Sequence, residues 1–396
     1  MTDRSHRAGQ LRKNKPQEAV QHRCGTAREL LRPLLERALD TGGIGVYRSE
    51  RGIYSSVISP FEIERLAALL RPRQRARQWL EIWARGGTLS LAPLEECWAP
   101  IRAVRRELAQ IVGGLARAGG TVAFLSGPQA RGLPVHADGE HLLVLQLGGK
   151  KHWRVFPHRT APGRVDETIL GLPQLRQTLT PGDSLFIPRG APHCATTSSQ
   201  EAISLTIGFA PGGASGDTWE GGEPALRVRD GGTTAAVELR LQPINLAKHA
   251  ALAIAFRRDA TAESFGSTSR FDASNGHGAQ QYLDWLRARR DRPNAICAIA
   301  WLGELPVGQI ELSTGDENAG YMHLLYLRPM ARGTGLADEL MKWARDWFDK
   351  RRCDRARLRV AAANERARRF YRRCGWQDLG ADSSDRQLRI MERIFV

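Results

Sequence analysis

The sequence predicts a multidomain chain: a barrel or sandwich of short strands preceded by helices, then a separate α/β domain. Three observations carry this. Thr121–Leu125, Leu142–Leu147, His152–Phe156, Ser184–Ile187 and Ile203–Phe209 are short apolar or alternating runs punctuated by Gly and Pro, the pattern of a closed or two-layered β structure. Pro211 to Thr234 then carries Pro-Gly-Gly, Glu-Gly-Gly and Asp-Gly-Gly steps with little apolar periodicity, which marks a boundary. Beyond it, strand-like and helix-like runs mix, as in an α/β domain. At 396 residues, with 42% apolar and 25% charged content, the chain has room for two cores and is not a disordered polymer.

In order, residues 1–25, with Arg4, Arg7, Arg12, Lys13, Lys15 and Arg23, are expected to form a flexible basic tail. Residues 26–210 form the first domain. Leu30, Leu31, Leu34 and Leu35 recur at helical spacing over 27–38, as do Ile63, Leu66, Leu69 and Leu70 over 61–70. Ile101–Leu115 reads as a further helix, and Trp79, Trp83 and Trp98 as core residues. Residues 211–239 form the Gly-rich linker and 240–396 the second domain. There, helices are expected at 246–257, 280–290, 335–349 and 365–373, strands at 295–301, 307–312, 323–327 and 356–360, and a Ser/Gly loop at 264–278.

The net charge of +16 and pI near 10.3 favour anionic partners. No module combining aromatic and basic residues is visible, so nucleic acid is not indicated beyond the basic charge. Twelve Lys or Arg against four Asp or Glu between 345 and 373 read as exposed helix faces. Six scattered cysteines without a Cys-x-x-Cys pair exclude a zinc ribbon or disulfide framework and suit a reducing compartment. The absence of a signal-like apolar segment or a membrane-spanning run leads us to expect a soluble, cytoplasmic protein.

The first chemical signal is Pro-Val-His136-Ala-Asp138, followed by an apolar strand, a Gly148-Gly149 turn and a second strand opening on Lys150-Lys151. Side chains two apart on an extended segment share a face, so His136 and Asp138 can hold one metal ion. His193, presented after Ile187-Pro188-Arg189-Gly190, supplies a third ligand, expected across the barrel. Two imidazoles and a carboxylate on one face of an ion leave open positions for co-substrate and O₂, as a non-haem Fe(II) oxygenase requires.

These residues, with Gly132-Leu133-Pro134, the Leu-Gln-Leu-Gly-Gly-Lys-Lys-His-Trp-Arg-Val run and Gly182-Asp183, resemble the cupin-like JmjC family of 2-oxoglutarate oxygenases, in the branch containing the ribosomal protein hydroxylases. The resemblance covers about residues 25–210 and implies a double-stranded β-helix (jelly roll, cupin) with N-terminal helices. It also implies Fe(II) held by His136, Asp138 and His193, with 2-oxoglutarate chelating the iron. Lys151 is implied as the partner of the distal carboxylate, Lys150 pointing the other way, and Thr121 as an added polar contact. The dimerisation region and winged-helix-like module of the ribosomal branch are not found after the barrel. Relatives of the oxygenase often dimerise, which makes a homodimer an expectation.

The second signal is Leu324-Leu325-Tyr326-Leu327-Arg328-Pro329-Met330-Ala331-Arg332-Gly333-Thr334-Gly335-Leu336-Ala337: a strand, a glycine turn and a helix start, where backbone N–H groups and the helix dipole suit a diphosphate. With Asn364-x-x-Ala367-x-x-Phe370-Tyr371 and Gly375-Trp376, it resembles the GNAT family of acyl-CoA N-acyltransferases over about residues 240–396. The resemblance implies that Arg332, Gly333, Thr334, Gly335, Leu336 and Ala337 cradle the diphosphate of acetyl-CoA or another acyl-CoA. The strand of Tyr326 and Leu327 binds the pantetheine, Asn364 contacts the cofactor, and Tyr371 protonates the departing thiolate. Glu311 and His323 are alternative general bases.

Together these imply a bifunctional enzyme, an Fe(II)/2-oxoglutarate-dependent dioxygenase fused to an N-acyltransferase, acting on an amine-bearing amino acid, peptide or natural-product intermediate. Two alternatives stay open: a protein hydroxylase and acetyltransferase with a ribosomal-type target, and a metal- or ligand-sensing cupin that regulates the acyltransferase.

Overall fold

The computed structural model describes residues 45–47, 59–111, 120–157, 159–209, 225–229, 237–275, 279–315 and 317–395. The expected tail at 1–25, the helix at 27–38 and most of the expected linker lie outside the described residues.

The first half contains β1 (Gly45–Tyr47), α1 (Pro60–Leu70), α2 (Ala76–Ala84), β2 (Thr88–Ala92), α3 (Leu94–Cys97), α4 (Ala99–Ile111) and β3 (Thr121–Ser126). It continues through β4 (His136–Ala137), β5 (His141–Gly149), β6 (Lys151–Val155), β7 (Gly163–Arg164), β8 (Leu175–Leu179), β9 (Ser184–Ile187), β10 (His193–Thr196), β11 (Ala202–Phe209) and β12 (Ala225–Arg229). The strands form two antiparallel sheets, β1-β9-β5-β11-β3-β2-β12 and β7-β4-β10-β6-β8, stacked as the expected jelly roll.

Alternation builds the core on both sides of the larger sheet. On β5, Leu142 and Val144 face inward with Trp153 and Val155. Leu143, Leu145 and Leu147 face outward onto a cluster containing Ile63, Leu80 and Trp83 of the helices. Helix α1 starts on a capping box: the Ser59 hydroxyl accepts from the Phe61 N–H, and the Glu62 carboxylate accepts from the Ser59 N–H. Gly149 lets β5 turn into β6. Its φ is +63°, and a Cβ there would lie 1.8 Å from the Glu201 carbonyl oxygen.

The second half carries β13 (Leu239–Pro243), α5 (Leu246–Phe265), α6 (Ser269–Asn275), α7 (Gln280–Arg290), β14 (Ala295–Leu302), β15 (Leu305–Thr314) and β16 (Ala319–Leu327). It ends with α8 (Leu336–Asp349), β17 (Arg355–Ala361), α9 (Glu365–Arg373), β18 (Gln377–Ala381) and β19 (Leu388–Ile394). The sheet order is β13-β14-β15-β16-β17-β19-β18, with β16 and β17 parallel. Their register stops at Met322↔Leu358, although β16 runs on to Leu327 and β17 to Ala361, so the two strands splay.

Three expectations change. The Ser/Gly loop contains a short helix, α6, because Phe271 is buried against Tyr282 and anchors that turn. Part of the expected linker is strand β12, which pairs with β2 in register Leu226↔Leu91 and Val228↔Leu89. The two halves also do not keep separate cores: Trp83, Leu89, Leu125 and Leu205 share one apolar cluster with Leu302, Leu305, Val307, Met330 and Leu340. Arg328, 4% exposed, crosses this junction. It donates to the Glu64 carboxylate, fully buried on α1, and to Glu201. Burial works against the guanidinium charge, but the two carboxylates outweigh it and hold Arg328 protonated.

Candidate active sites

The first site forms where β4 and β10 pair, with His193 directly opposite His136. His193 is therefore on the neighbouring strand and not across the barrel, as the spacing had suggested. The period-two reading of His136 and Asp138 fits the backbone, with Ala137 between them turned into the core. The loop that returns to His193 is held by the Gly190 N–H donating to the Asp138 carbonyl at 2.9 Å. Gly190 has φ +76°, and a Cβ there would lie 2.9 Å from the Thr160 carbonyl oxygen, so the turn needs glycine.

The imidazole centroids are 4.4 Å apart. Asp138 Oδ2 lies 3.3 Å from His193 Nε2 and 3.7 Å from His136 Nε2. Each Nδ1 sits on a backbone carbonyl, Pro134 at 2.8 Å and Ala191 at 3.0 Å. A carbonyl only accepts, so Nδ1 carries the proton in the neutral ring and Nε2 keeps its lone pair toward Asp138. Burial, with His136 adding to it, pushes His193 down to about 4, so protons do not compete for that nitrogen near neutral pH. One donor atom from each of the three residues falls within 4.8 Å of the others, and the set suits a divalent ion with open positions.

These residues line a cavity of about 500 Å³ between the sheets. Lys151, 4% exposed, reaches into it, donating to Ser204 Oγ at 3.2 Å and lying 5.2 Å from the Phe124 ring centroid. Among the described residues it meets no carboxylate. Burial pushes its ammonium down to about 8, as expected of a cation awaiting an anion. Lys150 is exposed, as strand alternation requires.

Thr121 does not belong to this site. On β3, Val122, Phe124 and Ser126 line the cavity, whereas Thr121, Ala123 and Leu125 face the helices. The Thr121 N–H donates to Glu95 and its hydroxyl accepts from Arg105. A one-residue offset on a strand reverses the face, and the correction falls on that parity. The cavity also holds groups that the sequence reading missed: Thr88 Oγ1, Ser126 Oγ and Trp153 Nε1 are buried without a hydrogen-bond partner among the described residues. The alternation of β3 was the available signal for Ser126; the pairing Thr88↔Ser126 was not readable without the fold.

The second site lies at the splay of β16 and β17. Gly335, φ +88°, precedes α8 without a side-chain cap, and a Cβ there would meet nothing within 4 Å. Thr334 Oγ1 donates to the Ala331 carbonyl and tightens the turn. Leu336 is buried and Ala337 packs beside it, seating the first turn of α8 on the shared core. The Arg332 side chain turns toward the Leu327 carbonyl at 2.8 Å and the Glu263 carboxylate at 3.0 Å, and its N–H donates to the Pro329 carbonyl, so neither its guanidinium nor its N–H is turned to the glycine loop's open side. Tyr326 is buried, its hydroxyl donating to Asp259 at 2.8 Å, and its backbone is paired with Gln309 of β15.

Asn364 caps α9, accepting from the Ala367 N–H at 3.0 Å. Tyr371, on the buried face of α9, packs 6.0 Å from Trp376, and burial raises its hydroxyl above the ordinary tyrosine range. It stays protonated near neutral pH. Glu311 is not a free base: fully buried, it accepts from Tyr282 and Gln309 and pairs with Arg257 at 3.4 Å. His323 is partly open, its Nε2 2.8 Å from Ser313 Oγ and its ring 5.1 Å from Trp285. Burial, with Arg289 and Arg257, pushes it down to about 4 and keeps it neutral.

Residues 99–215 match the JmjC domain family and residues 259–376 the acetyltransferase (GNAT) family. The chain is similar to the bifunctional lysine-specific demethylase and histidyl-hydroxylase NO66 of Culex quinquefasciatus, 40% identical over 83 residues, 19% of this chain and 13% of that protein. It is also similar to ribosomal oxygenase 2 of Bos taurus, 36% identical over 92 residues, 22% of this chain and 20% of that protein. The matched stretch is thus a small part of these relatives' length.

Among solved structures, the ribosomal oxygenase YcfD from Escherichia coli, in complex with cobalt and 2-oxoglutarate, is 18% identical with a TM-score of 0.33, over 46% of this chain and 52% of that one. The PaiA N-acetyltransferase of Thermoplasma acidophilum, in complex with coenzyme A, is 19% identical with a TM-score of 0.29, over 40% of this chain and 99% of that one. With the two family matches in chain order, the protein joins a JmjC domain to an acetyltransferase (GNAT) domain.

Proposed function

We propose that the protein is a bifunctional enzyme that hydroxylates a carbon centre with Fe(II) and 2-oxoglutarate and acylates an amine from acetyl-CoA or another acyl-CoA. The observation that carries the first activity is one cavity in which His136, Asp138 and His193 converge and Lys151 enters as a buried cation without a carboxylate. His136, Asp138 and His193 fit Fe(II), and Lys151 fits the distal carboxylate of 2-oxoglutarate, with Ser126 and Thr88 offering unused hydroxyls. Bound iron would supply the oxygen chemistry, consuming O₂ and 2-oxoglutarate to give succinate, CO₂ and a hydroxylated substrate. The protein's part is to orient two imidazoles by their Nδ1–H bonds, to anchor the co-substrate by charge and to hold the reacting carbon in the cavity lined by Val122, Phe124, Leu142 and Trp153.

In the second half, the acceptor nitrogen attacks the thioester carbonyl, the C–S bond breaks, and Tyr371 returns a proton to the thiolate. His323, neutral and partly open, is the base we assign for the proton leaving nitrogen. An amine-bearing amino acid, peptide or natural-product intermediate is the substrate class we propose for both halves, and a homodimer is the assembly we propose.

The test is succinate production from 2-oxoglutarate by the Fe(II)-loaded chain, with mass spectrometry of cell extract after addition of acetyl-CoA. We expect succinate that is lost on chelation or in His136→Ala, and one species shifted by an oxygen and an acetyl group. Succinate formation that survives His136→Ala refutes the oxygenase assignment, and an extract with no acetylated species refutes the acyltransferase assignment.

A further inference from the structure

Helix α1 precedes both family-matched segments and packs Ile63 and Ala67 into the shared apolar cluster, yet its charged side chains end on the glycine loop of the acetyltransferase half. Glu64 receives Arg328 at the entry to that loop. Arg65 binds Asp259 and Glu263, the carboxylates that also hold Arg332. Arg71, at the C-cap of α1, donates Nη1–H to the Met330 carbonyl and Nη2–H to the Arg332 carbonyl.

Arg71 differs from the other arginines here. It is 8% exposed, and among the described residues no carboxylate lies within ion-pair distance of it, whereas Arg65, Arg328 and Arg332 each meet at least one. A buried guanidinium compensated only by carbonyls lacks a counterion, and burial accordingly depresses its proton affinity. The loop above it is open. A Cβ on Gly333, φ +71°, would meet only Arg71 Nη2, at 3.9 Å, and one on Gly335 nothing within 4 Å. The trans peptide sets C=O and N–H on opposite sides. A carbonyl of Arg332 drawn down onto Arg71 therefore turns the Gly333 N–H away from Arg71, toward the open side of the loop.

We propose that Arg71 is a positioning residue of the acyl-CoA site: it supplies the buried countercharge for the diphosphate and fixes the peptide that binds it, so the site draws on a helix outside the matched acetyltransferase segment. This rests on the acyl-CoA reading of the glycine loop. The acetyltransferase half consequently carries an incomplete cradle by itself, completed by a helix more than 250 residues earlier in the chain.

The experiment uses the full chain and calorimetric titration with coenzyme A and with pantetheine, which lacks the diphosphate. Arg71→Met is expected to weaken coenzyme A binding roughly tenfold or more and to change pantetheine binding by less than about twofold. Arg71→Lys, which keeps the charge but not the fork, is expected to recover part of the loss, and the parent's coenzyme A affinity to fall more steeply with salt than that of Arg71→Met. Thermal melting reports on folding; if Arg71→Met does not fold, Arg71→Lys and the salt dependence of the parent decide. Equal affinity of Arg71→Met and the parent for coenzyme A overturns the proposal, as does an equal loss for both ligands, which is the signature of a scaffold. A parent chain that binds no coenzyme A overturns the acyl-CoA reading itself, and the proposal with it.

Discussion

Lys151 should give the proposed 2-oxoglutarate site a pH dependence with two opposite signs. Its folded value of about 8 lies below the ordinary lysine range because burial disfavours the ammonium. Only the protonated form pairs with a carboxylate, so the dissociation constant of 2-oxoglutarate scales as one plus the ratio of neutral to charged lysine. From about pH 7 to about pH 9 that factor rises about tenfold. Stability moves the other way. Between the folded value and the ordinary lysine range the unfolded chain binds more protons, so folding gains as pH rises, by about 1.4 kcal/mol over the same interval from this group alone. Lys151→Met isolates the effect: the variant should be more stable than the parent at neutral pH, lose this share of the pH dependence and bind 2-oxoglutarate poorly at any pH. Denaturant melts of both proteins and calorimetric titration of the metal-loaded parent across the interval are the assays. An affinity that stays flat between about pH 7 and about pH 9, or a Lys151→Met protein less stable than the parent at neutral pH, refutes the reasoning.

Other outcomes follow from single contacts. Burial holds the Glu64 carboxyl above its ordinary range and Arg328 keeps Glu201, so Glu64→Gln should lower stability by only about 1 kcal/mol, read as a shift in the urea midpoint; a gain in stability contradicts the pairing. Gly149→Ala forces a Cβ toward the Glu201 carbonyl at positive φ and should destabilise by about 2 kcal/mol or more, whereas a neutral result means that the β5–β6 turn is not as described. Tyr371→Phe should lower the acyl-transfer rate roughly a hundredfold with coenzyme A affinity retained, and an unaltered rate removes Tyr371 as the proton donor.

The shared facing of His136 and Asp138 was legible because strand geometry ties them by parity alone, and parity survives any error about neighbouring strands. Lys151 was legible for the same reason, one residue from an exposed Lys150. Thr121 failed on that same parity: its strand was placed correctly, but which side chains faced inward depended on whether Thr121 or Val122 opened the inward face. His193 was identified as a ligand but placed across the barrel, because strand order is a long-range property that a linear reading does not contain. Glu311 looked like a base because it sits on a central strand, and only the fold shows Tyr282, Gln309 and Arg257 consuming its oxygens.

The junction between the halves was the least legible feature, and the reason is physical. An apolar residue has the same pattern whether it packs within its own domain or on another, so Trp83, Leu302 and Leu340 gave no sign of sharing one core. Glu64 and Arg328 each read as ordinary charges in amphipathic segments, and their pairing across 264 positions follows from no local rule. A flexible linker would have raised only the effective concentration of one site near the other. A shared core instead fixes the two halves against each other, and the loop proposed to hold the diphosphate is gripped by α1, a helix of the N-terminal half, through Arg71 and Glu64. Any change in the packing of α1 is therefore felt at that loop directly, through two hydrogen-bonded carbonyls and one buried ion pair.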